Sequence, residues 1–271
     1  MPELPEVETT RRGIEPHLNQ QRIKKIIVRD RRLRWPVPAS LEKQAQGAVI
    51  ESVQRRGKYL LVHTTQGNMI IHLGMSGSLR ILDHKTESAK HDHIDVILDS
   101  GQALRFRDPR RFGSFLWTRK DPLKHPRLKN LGPEPLSEDF NSNNLHQQAK
   151  GRKQAIKTFI MDSRMVVGVG NIYACESLFM SSIHPGTAAG KISAKRMDKL
   201  VSAIKTVLAR AIEQGGTTLK DFTGSDGQPG YFAQSLNVYG REHESCPQCG
   251  RPVRRITQAQ RSTFYCPKCQ N

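Results

Sequence analysis

The chain has 271 residues, with 43 Lys and Arg against 25 Asp and Glu, so its formal net charge is +18. A hydrophobic fraction of 36% excludes a disordered chain. The sequence has no apolar run near the ~18 residues of a membrane span and no basic-then-apolar leader, so we expect a cytoplasmic protein. The positive charge favours a polyanionic partner. Nucleic acid is the first candidate and an anionic membrane surface the second, although no basic amphipathic helix in the sequence supports membrane binding.

The first part of the chain is predicted to be mainly β-structure. A short helix near Pro5–Leu18 precedes residues 23–118, which contain the apolar, β-branched runs IKKIIV, KYLLVHTT, NMIIHLGM, HIDVILD and FGSFLW. Gly67 and Gly101 fit hairpin turns. Several short strands separated by turns favour a β-sandwich or flattened barrel, which defines a first domain at residues 1–119.

The second part is predicted to be helical. Residues 120–137 are rich in proline and glycine and are predicted to form a linker. A helix is predicted after Ser193, and Gly215–Gly216 ends it. Its apolar residues recur at helical spacing: Met197, Leu200, Val201, Ile204, Val207, Leu208, Ala211 and Ile212. We therefore expect an α+β protein with a helical domain at residues 138–239 and a separate tail at residues 240–271.

The tail contains four of the five cysteines. Cys246 and Cys249 form one Cys-x2-Cys pair, Cys266 and Cys269 form another, and 16 residues separate the pairs. This spacing predicts a tetrahedral zinc site, whereas two disulfides, the alternative, are disfavoured in the cytosol. The segments RPVRRIT and RSTFY between the pairs predict a β-hairpin turning at Gln258–Gln260. Its basic face could contact phosphates or be merely solvated.

The N-terminus begins Met1-Pro2-Glu3. Removal of Met1 would expose Pro2 as a secondary amine with a pKa near the ordinary α-amino value of about 8. Such an amine can attack a deoxyribose C1′ and form an iminium, and Glu3 could transfer the protons. Alternatively, Pro2 merely opens the first helix, while Glu3 and Glu6 interact with its dipole.

Several motifs occur together with this start. They are PELPEVE at residues 2–8, LGMSGSLR at 73–80, HDHIDV at 91–96, DPRRFG at 108–113, GVGNIYACESLF at 168–179 and QRSTFYC at 260–266. Their order and extent resemble the formamidopyrimidine-DNA glycosylase family over nearly the whole chain. The resemblance implies an N-terminal helix with an antiparallel β-sandwich, a helix-two-turn-helix domain and a β-hairpin zinc finger. The related endonuclease VIII type begins with PEGPE, and Leu4 favours the purine-specific branch.

The resemblance also implies roles for individual residues. Pro2 would be the Schiff-base nucleophile, Glu3 the acid/base residue, and Lys58 a proton donor in β-elimination. Arg261 would clamp phosphates beside the lesion and is associated with δ-elimination. Further DNA contacts are implied at His91, Arg110, Arg152, Lys157 and Asn171, with Lys153 as an alternative to Arg152.

A wedge that fills the space of an extruded base is implied at Met75, Arg110 and Phe112. Hydrophobic pattern alone would place Met75 and Phe112 in the core. The GVGN turn is expected to precede a helix at Ile172–Phe179, and Thr217–Tyr231 resembles the lesion-covering loop of the family.

The function implied is removal of oxidised purines, 8-oxoguanine and formamidopyrimidines, from damaged double-stranded DNA, followed by β,δ-elimination. One structural zinc, no small-molecule cofactor and a monomer are expected. Two rivals are an endonuclease VIII-like, pyrimidine-specific glycosylase and a non-catalytic zinc-finger DNA-binding protein. The second does not explain Pro2, Glu3 and Lys58 together.

Overall fold

The structure, a computed structural model, describes residues 2–216 and 236–271. These residues belong to two compact units. The first contains residues 2–130 and 214–216, and the second contains residues 131–213 and 236–271. The predicted lesion-covering loop Thr217–Tyr231 lies outside the described residues. The domain boundaries expected from the sequence remain predictions.

The first unit is an antiparallel β-sandwich preceded by a helix. Helix α1 covers Leu4–Leu18, and the short helix α2 covers Leu41–Ala45. One sheet has the order β1-β6-β7-β5 and the other β2-β3-β4-β8, with antiparallel pairing throughout. The strands are β1 (Ile23–Val28), β2 (Ile50–Arg56), β3 (Tyr59–Thr64), β4 (Gly67–His72), β5 (Ser78–Asp83), β6 (Asp92–Leu98), β7 (Gln102–Arg107) and β8 (Ser114–Thr118).

The core of this unit lies between the two sheets and extends under α1. Phe106 on β7 and Phe115 on β8 belong to different sheets, and their rings meet edge-on at a centroid distance of 6.1 Å. Ile14 and Leu18 of α1 are buried in the same cluster. The apolar runs in the sequence therefore supply the inner faces of a sandwich, which confirms the predicted fold class.

The second unit is helical. Its helices are α3 (Ser142–Ala149), α4 (Ile156–Ile160), α5 (Asn171–Met180) and α6 (Ala194–Glu213). All eight apolar residues predicted to line α6 are buried. Gly215 and Gly216 follow the helix with φ of 73° and 80°, a conformation that favours glycine and ends the helix where the sequence predicted.

The C-terminal tail forms a two-stranded hairpin, β9 (Arg254–Gln258) and β10 (Arg261–Tyr265). Ala259 and Gln260 make the two-residue turn with φ of 46° and 60°, the left-handed pair that a tight hairpin requires. Among residues 2–216 and 236–271, no helix is long and apolar enough to cross a membrane.

Candidate functional site

Pro2 and Glu3 are buried at the start of α1. Glu3 is the N-cap residue and only 2% exposed, and its backbone N–H donates to Glu6 Oε2 at 2.7 Å within a capping box. The helix start is therefore rigid. A carboxyl group held here stands one residue after the proline, which is the arrangement that proton transfer beside an N-terminal amine requires.

A chain of hydrogen bonds connects α1 to the turn that carries Lys58. Glu8 accepts from Arg55 Nε at 3.1 Å, and Arg55 Nη1 donates to the carbonyl oxygen of Gly57 at 3.0 Å. Gly57, with φ of 56°, and Lys58 form the two-residue turn between β2 and β3. Burial opposes ionisation of Glu8, but hydrogen bonds from Arg11 and Arg12 lower its pKa overall. The ionised Glu8 thus fixes the Lys58 turn relative to α1.

His72, at the end of β4, lies close to Lys58 and was not identified from the sequence. Burial, together with the positive charges of Lys58 and Arg34, lowers the pKa of His72 to about 4. Its Nδ1 accepts from the backbone N–H of Gly74 at 2.9 Å. A neutral imidazole with Nδ1 as acceptor carries its proton on Nε2, so His72 can donate to an anion at neutral pH.

Met75, Arg110 and Phe112 are brought together by Asp108. The fully buried Asp108 carboxylate accepts from Ser76 Oγ at 2.8 Å and from Gly113 N at 2.7 Å. It therefore links the turn containing Met75 to the loop containing Arg110 and Phe112. A Cβ on Gly74 would lie 2.4 Å from the backbone at Phe112 and Gly113, so only glycine permits this approach.

The exposure of this loop contradicts the core placement that hydrophobic pattern alone would give Phe112. Phe112 is 43% exposed, and the Arg110 guanidinium lies 4.9 Å from its ring centroid. Met75 is half-buried. Hydrophobic pattern does not predict this exposure, because it depends on the loop that the buried Asp108 holds through Gly113.

His91 lies beside a basic pocket of about 400 Å³. Its φ is 81°, and the loop before it is held by the buried Arg105, which donates to the carbonyl oxygens of Thr86 and Glu87 at 2.9 Å each. Four basic residues and two acidic residues line the pocket: Arg29, Arg32, Lys90 and Arg111, with Asp30 and Asp92. The three arginines form ion pairs with Asp30 or Asp95, so the lining keeps a smaller excess of positive charge than its arginines alone would give.

Lys157 and Asn171 meet in the second unit. Lys157 on α4 is 1% exposed, and its Nζ donates to Asn171 Oδ1 and to Thr263 Oγ1, both at 2.6 Å. Asn171, the first residue of α5, also donates to the carbonyl oxygen of Ser262 at 2.9 Å. The expected phosphate contact by Lys157 is not favoured by this burial, because its ammonium is committed to protein acceptors.

Glu176 anchors the start of the finger segment and was also missed from the sequence. It is 1% exposed, and its Oε1 accepts from Val238 N and Tyr239 N, both at 2.9 Å, while Oε2 accepts from Asn237 N at 2.8 Å. Its position as an acidic residue within the apolar run of α5 was the feature of the sequence that could have identified it. Buried carboxylates are tolerated when several backbone donors satisfy them.

The four tail cysteines converge on one point. Their Sγ atoms all lie within 4.8 Å of one another, with Cys246 to Cys269 at 3.9 Å and Cys249 to Cys266 at 3.4 Å. Zn–S bonds of about 2.3 Å in a tetrahedron place sulfurs about 3.8 Å apart. The site therefore fits a structural zinc, and Arg261 is exposed at the first position of β10, beside the hairpin turn.

Arg152 and Lys153 are both exposed, in the segment between α3 and α4. Arg152 Nε donates to the carbonyl oxygen of Gln148 at 3.4 Å. Both side chains are therefore accessible to an external ligand.

Comparison with known proteins agrees with this arrangement. Three family models match the chain: the formamidopyrimidine-DNA glycosylase N-terminal domain at residues 1–115, the H2TH domain of the same enzyme at 131–223, and a zinc finger found in FPG and IleRS at 244–271. The finger match and the cysteine geometry together assign one structural zinc to this chain.

Relatives and solved structures match over the full length. The formamidopyrimidine-DNA glycosylases of Stutzerimonas stutzeri and Hydrogenovibrio crunogenus are each 57% identical, covering 100% of this chain and 100% and 96% of theirs. The Thermus thermophilus MutM (FPG) structure is 39% identical, with a TM-score of 0.89 and coverage of 99% and 98%. A Lactococcus lactis FPG mutant in complex with Fapy-dG containing DNA is 32% identical, with a TM-score of 0.93 and full coverage of both chains. The chain therefore belongs to the formamidopyrimidine-DNA glycosylase family.

Proposed function

We propose that this protein removes oxidised purines from damaged double-stranded DNA through a Schiff base at Pro2 and then cleaves the strand. The observation that carries the proposal is the rigid helix start, where Pro2 precedes the buried Glu3 and the Glu8–Arg55–Gly57 chain fixes the Lys58 turn. The full-length match to an FPG bound to Fapy-dG containing DNA supports the substrate class.

The chemistry assigned to these residues is covalent. After removal of Met1, the Pro2 nitrogen attacks C1′ of the damaged nucleotide, the glycosidic bond breaks, and Glu3 transfers protons during base loss and ring opening. The iminium acidifies C2′, so loss of a C2′ proton breaks the C3′–O bond, and Lys58 donates a proton in this step. In a second elimination, C4′ loses a proton and the C5′–O bond breaks; the phosphate leaves with the electron pair while Arg261 holds it.

The remaining predicted residues bind or deform DNA in this proposal. Met75 and Phe112 fill the space left by the extruded base, and Arg110 pairs with the orphaned base. His91, Asn171 and Arg152 contact phosphates, and His72 joins them as a neutral donor. Lys157 acts indirectly by holding Asn171 and β10. The protein works as a cytoplasmic monomer.

The experiment is excision from matched duplexes that carry 8-oxoguanine, oxidised thymine or no lesion. Purine-lesion excision with strand cleavage supports the proposal. Preferential excision of oxidised thymine would instead support the endonuclease VIII-like alternative. Tight binding to all three duplexes without cleavage would support a non-catalytic DNA-binding protein.

A further inference from the structure

Trp35, in the segment between β1 and α2, contacts two guanidinium groups. The Cζ atom of Arg127 lies 3.9 Å from the indole centroid, and that of Arg34 lies 5.1 Å from it. Trp35 is half-buried, whereas both arginines are exposed. Stacking on an aromatic ring fixes a guanidinium while its N–H edge remains available to a ligand.

The two stacked arginines differ from the other arginines of the same region. Within the described part of the chain, neither Arg34 nor Arg127 forms an ion pair. Their neighbours do: Arg29 with Asp95, Arg31 with Glu42, and both Arg32 and Arg111 with Asp30. Among residues 2–216 and 236–271, no carboxylate pairs with the positive charge at Trp35. An external anion would supply the missing partner.

Trp35, Arg34 and Arg127 lie next to residues to which the proposed function gives catalytic and wedge roles. The backbone N–H of Arg34 donates to the carbonyl oxygen of Gly113 at 3.1 Å, immediately after Phe112. Tyr59 follows Lys58, and its ring lies 4.7 Å from that of His72. The charges of Arg127 and Arg34 both lower the pKa of Tyr59, although burial raises it overall. Both arginines are therefore close to the Lys58 turn.

We propose that Arg127 and Arg34, positioned by Trp35, form an additional site for a backbone phosphate of the bound DNA. Arg127 is the principal ligand, because its guanidinium makes the closer stacking contact. The site extends the anion-binding surface of the first unit beyond Lys58 and His72. This inference rests on the proposed DNA-binding function, and its test separates the two.

The test is the salt dependence of affinity for a duplex that carries a non-cleavable abasic-site analogue. Arg127→Gln should weaken binding and reduce the slope of log K against log salt by about 0.9, the value for one phosphate contact. Arg22→Gln is the matched control, because Arg22 is an exposed arginine of the same unit that precedes β1, whereas Arg34 follows it.

The two variants distinguish the outcomes. A reduced slope for Arg127→Gln with a wild-type slope for Arg22→Gln supports the site. An unchanged slope for Arg127→Gln, or an equal reduction in both variants, overturns it while leaving the proposed function intact. Failure of the wild-type protein to bind the duplex would instead contradict the proposed function.

Two further measurements test the role of Trp35 and the source of the phosphate. Trp35→Leu should reduce the salt slope of DNA binding as Arg127→Gln does. Adding Arg127→Gln to the Trp35→Leu variant should not reduce the slope further, and additive reductions would refute positioning by Trp35. In a Trp117→Phe variant, Trp35 is the sole tryptophan. Its emission should respond to DNA and not to inorganic phosphate at matched ionic strength. A saturable response to phosphate alone, with an unchanged DNA salt slope, would reject the DNA assignment.

Discussion

The Lys157 ammonium donates a hydrogen bond of 2.6 Å to Thr263 Oγ1, although 106 positions separate the two residues in the sequence. The same ammonium holds Asn171 at the start of α5. Thr263 lies two residues after Arg261 on β10. A single buried cation therefore connects the helical part of the second unit to the strand that presents Arg261.

Lys157→Met should weaken DNA binding while the zinc is retained. The change leaves Asn171 Oδ1 and Thr263 Oγ1 without their charged donor, which costs about 3 kcal/mol of folding free energy, and it loosens β10. We expect affinity for lesion DNA to fall about tenfold, equivalent to about 1.4 kcal/mol. Lys205→Met is the control, because Lys205 is another lysine of this unit whose ammonium donates to a backbone oxygen, that of Ser137, and not to the β9–β10 hairpin. Equal affinities for the two variants would contradict the connecting role of Lys157.

Glu8→Gln should destabilise the first unit at neutral pH and reduce strand cleavage. Glu8 has a pKa below its ordinary 4.5, so its ionised form stabilises the fold above that pH, and the contribution is lost as pH falls through the lower folded pKa. We expect a loss of about 1–3 kcal/mol at pH 7 by chemical denaturation. The difference in free energy of unfolding between Glu8→Gln and wild type should shrink below pH 4.5. Glu51→Gln, at an exposed glutamate of β2, serves as the control, and a pH-independent difference would argue against the ion-pair account.

His72 should make stability fall as the solution is acidified below about pH 6.5. Its folded pKa of about 4 lies below the ordinary 6.5, so the unfolded chain binds a proton that the folded protein does not. The resulting destabilisation grows from pH 6.5 to pH 4 and is absent above that range. Chemical denaturation of wild type and His72→Gln across pH 4–8 checks this. Parallel stability curves would show that His72 is not held neutral.

Cys249→Ser should release zinc, so that the hairpin no longer holds Arg261 in position, while the rest of the protein stays folded. A two-stranded hairpin buries too little apolar surface to hold its shape without metal. Arg261→Ala should keep the zinc, reduce cleavage and lower the salt slope of DNA binding. Zinc analysis, circular dichroism and salt-titrated affinity distinguish the variants. Full zinc content with wild-type cleavage in Cys249→Ser would show that the four-cysteine site is wrong.

The sequence predicted those features that depend on local pattern. The α6 stripe, the strands of the sandwich, the hairpin turn before Arg261 and the Cys-x2-Cys pairs each follow from spacing along a single segment. Periodicity and short-range spacing are physical properties of one element, so they are visible before the chain folds.

Residues that act by joining distant segments were not predicted. Asp108 accepts a hydrogen bond from Ser76, and Glu176 accepts one from Val238, 32 and 62 positions away in the sequence. His72 was missed because its burial beside Lys58 depends on the pairing of β3 with β4. Phosphate contact by Lys157 stays a prediction, but the burial of its ammonium was not foreseen, because no local pattern in the sequence indicates it. The exposure of the Phe112 ring was not predicted for the same reason, because it depends on the loop that the buried Asp108 carboxylate holds in place.

The most direct measurement of the central claim is mass spectrometry of the covalent product. The purified protein is incubated with an 8-oxoguanine duplex and borohydride, digested, and the modified peptide is sequenced. We expect the N-terminal peptide to lack Met1 and to carry the deoxyribose remnant on the Pro2 nitrogen, and Pro2→Gly to trap less product. A remnant on Lys58 or another lysine, or efficient trapping by a protein that retains Met1, would contradict the assignment of Pro2 as the nucleophile.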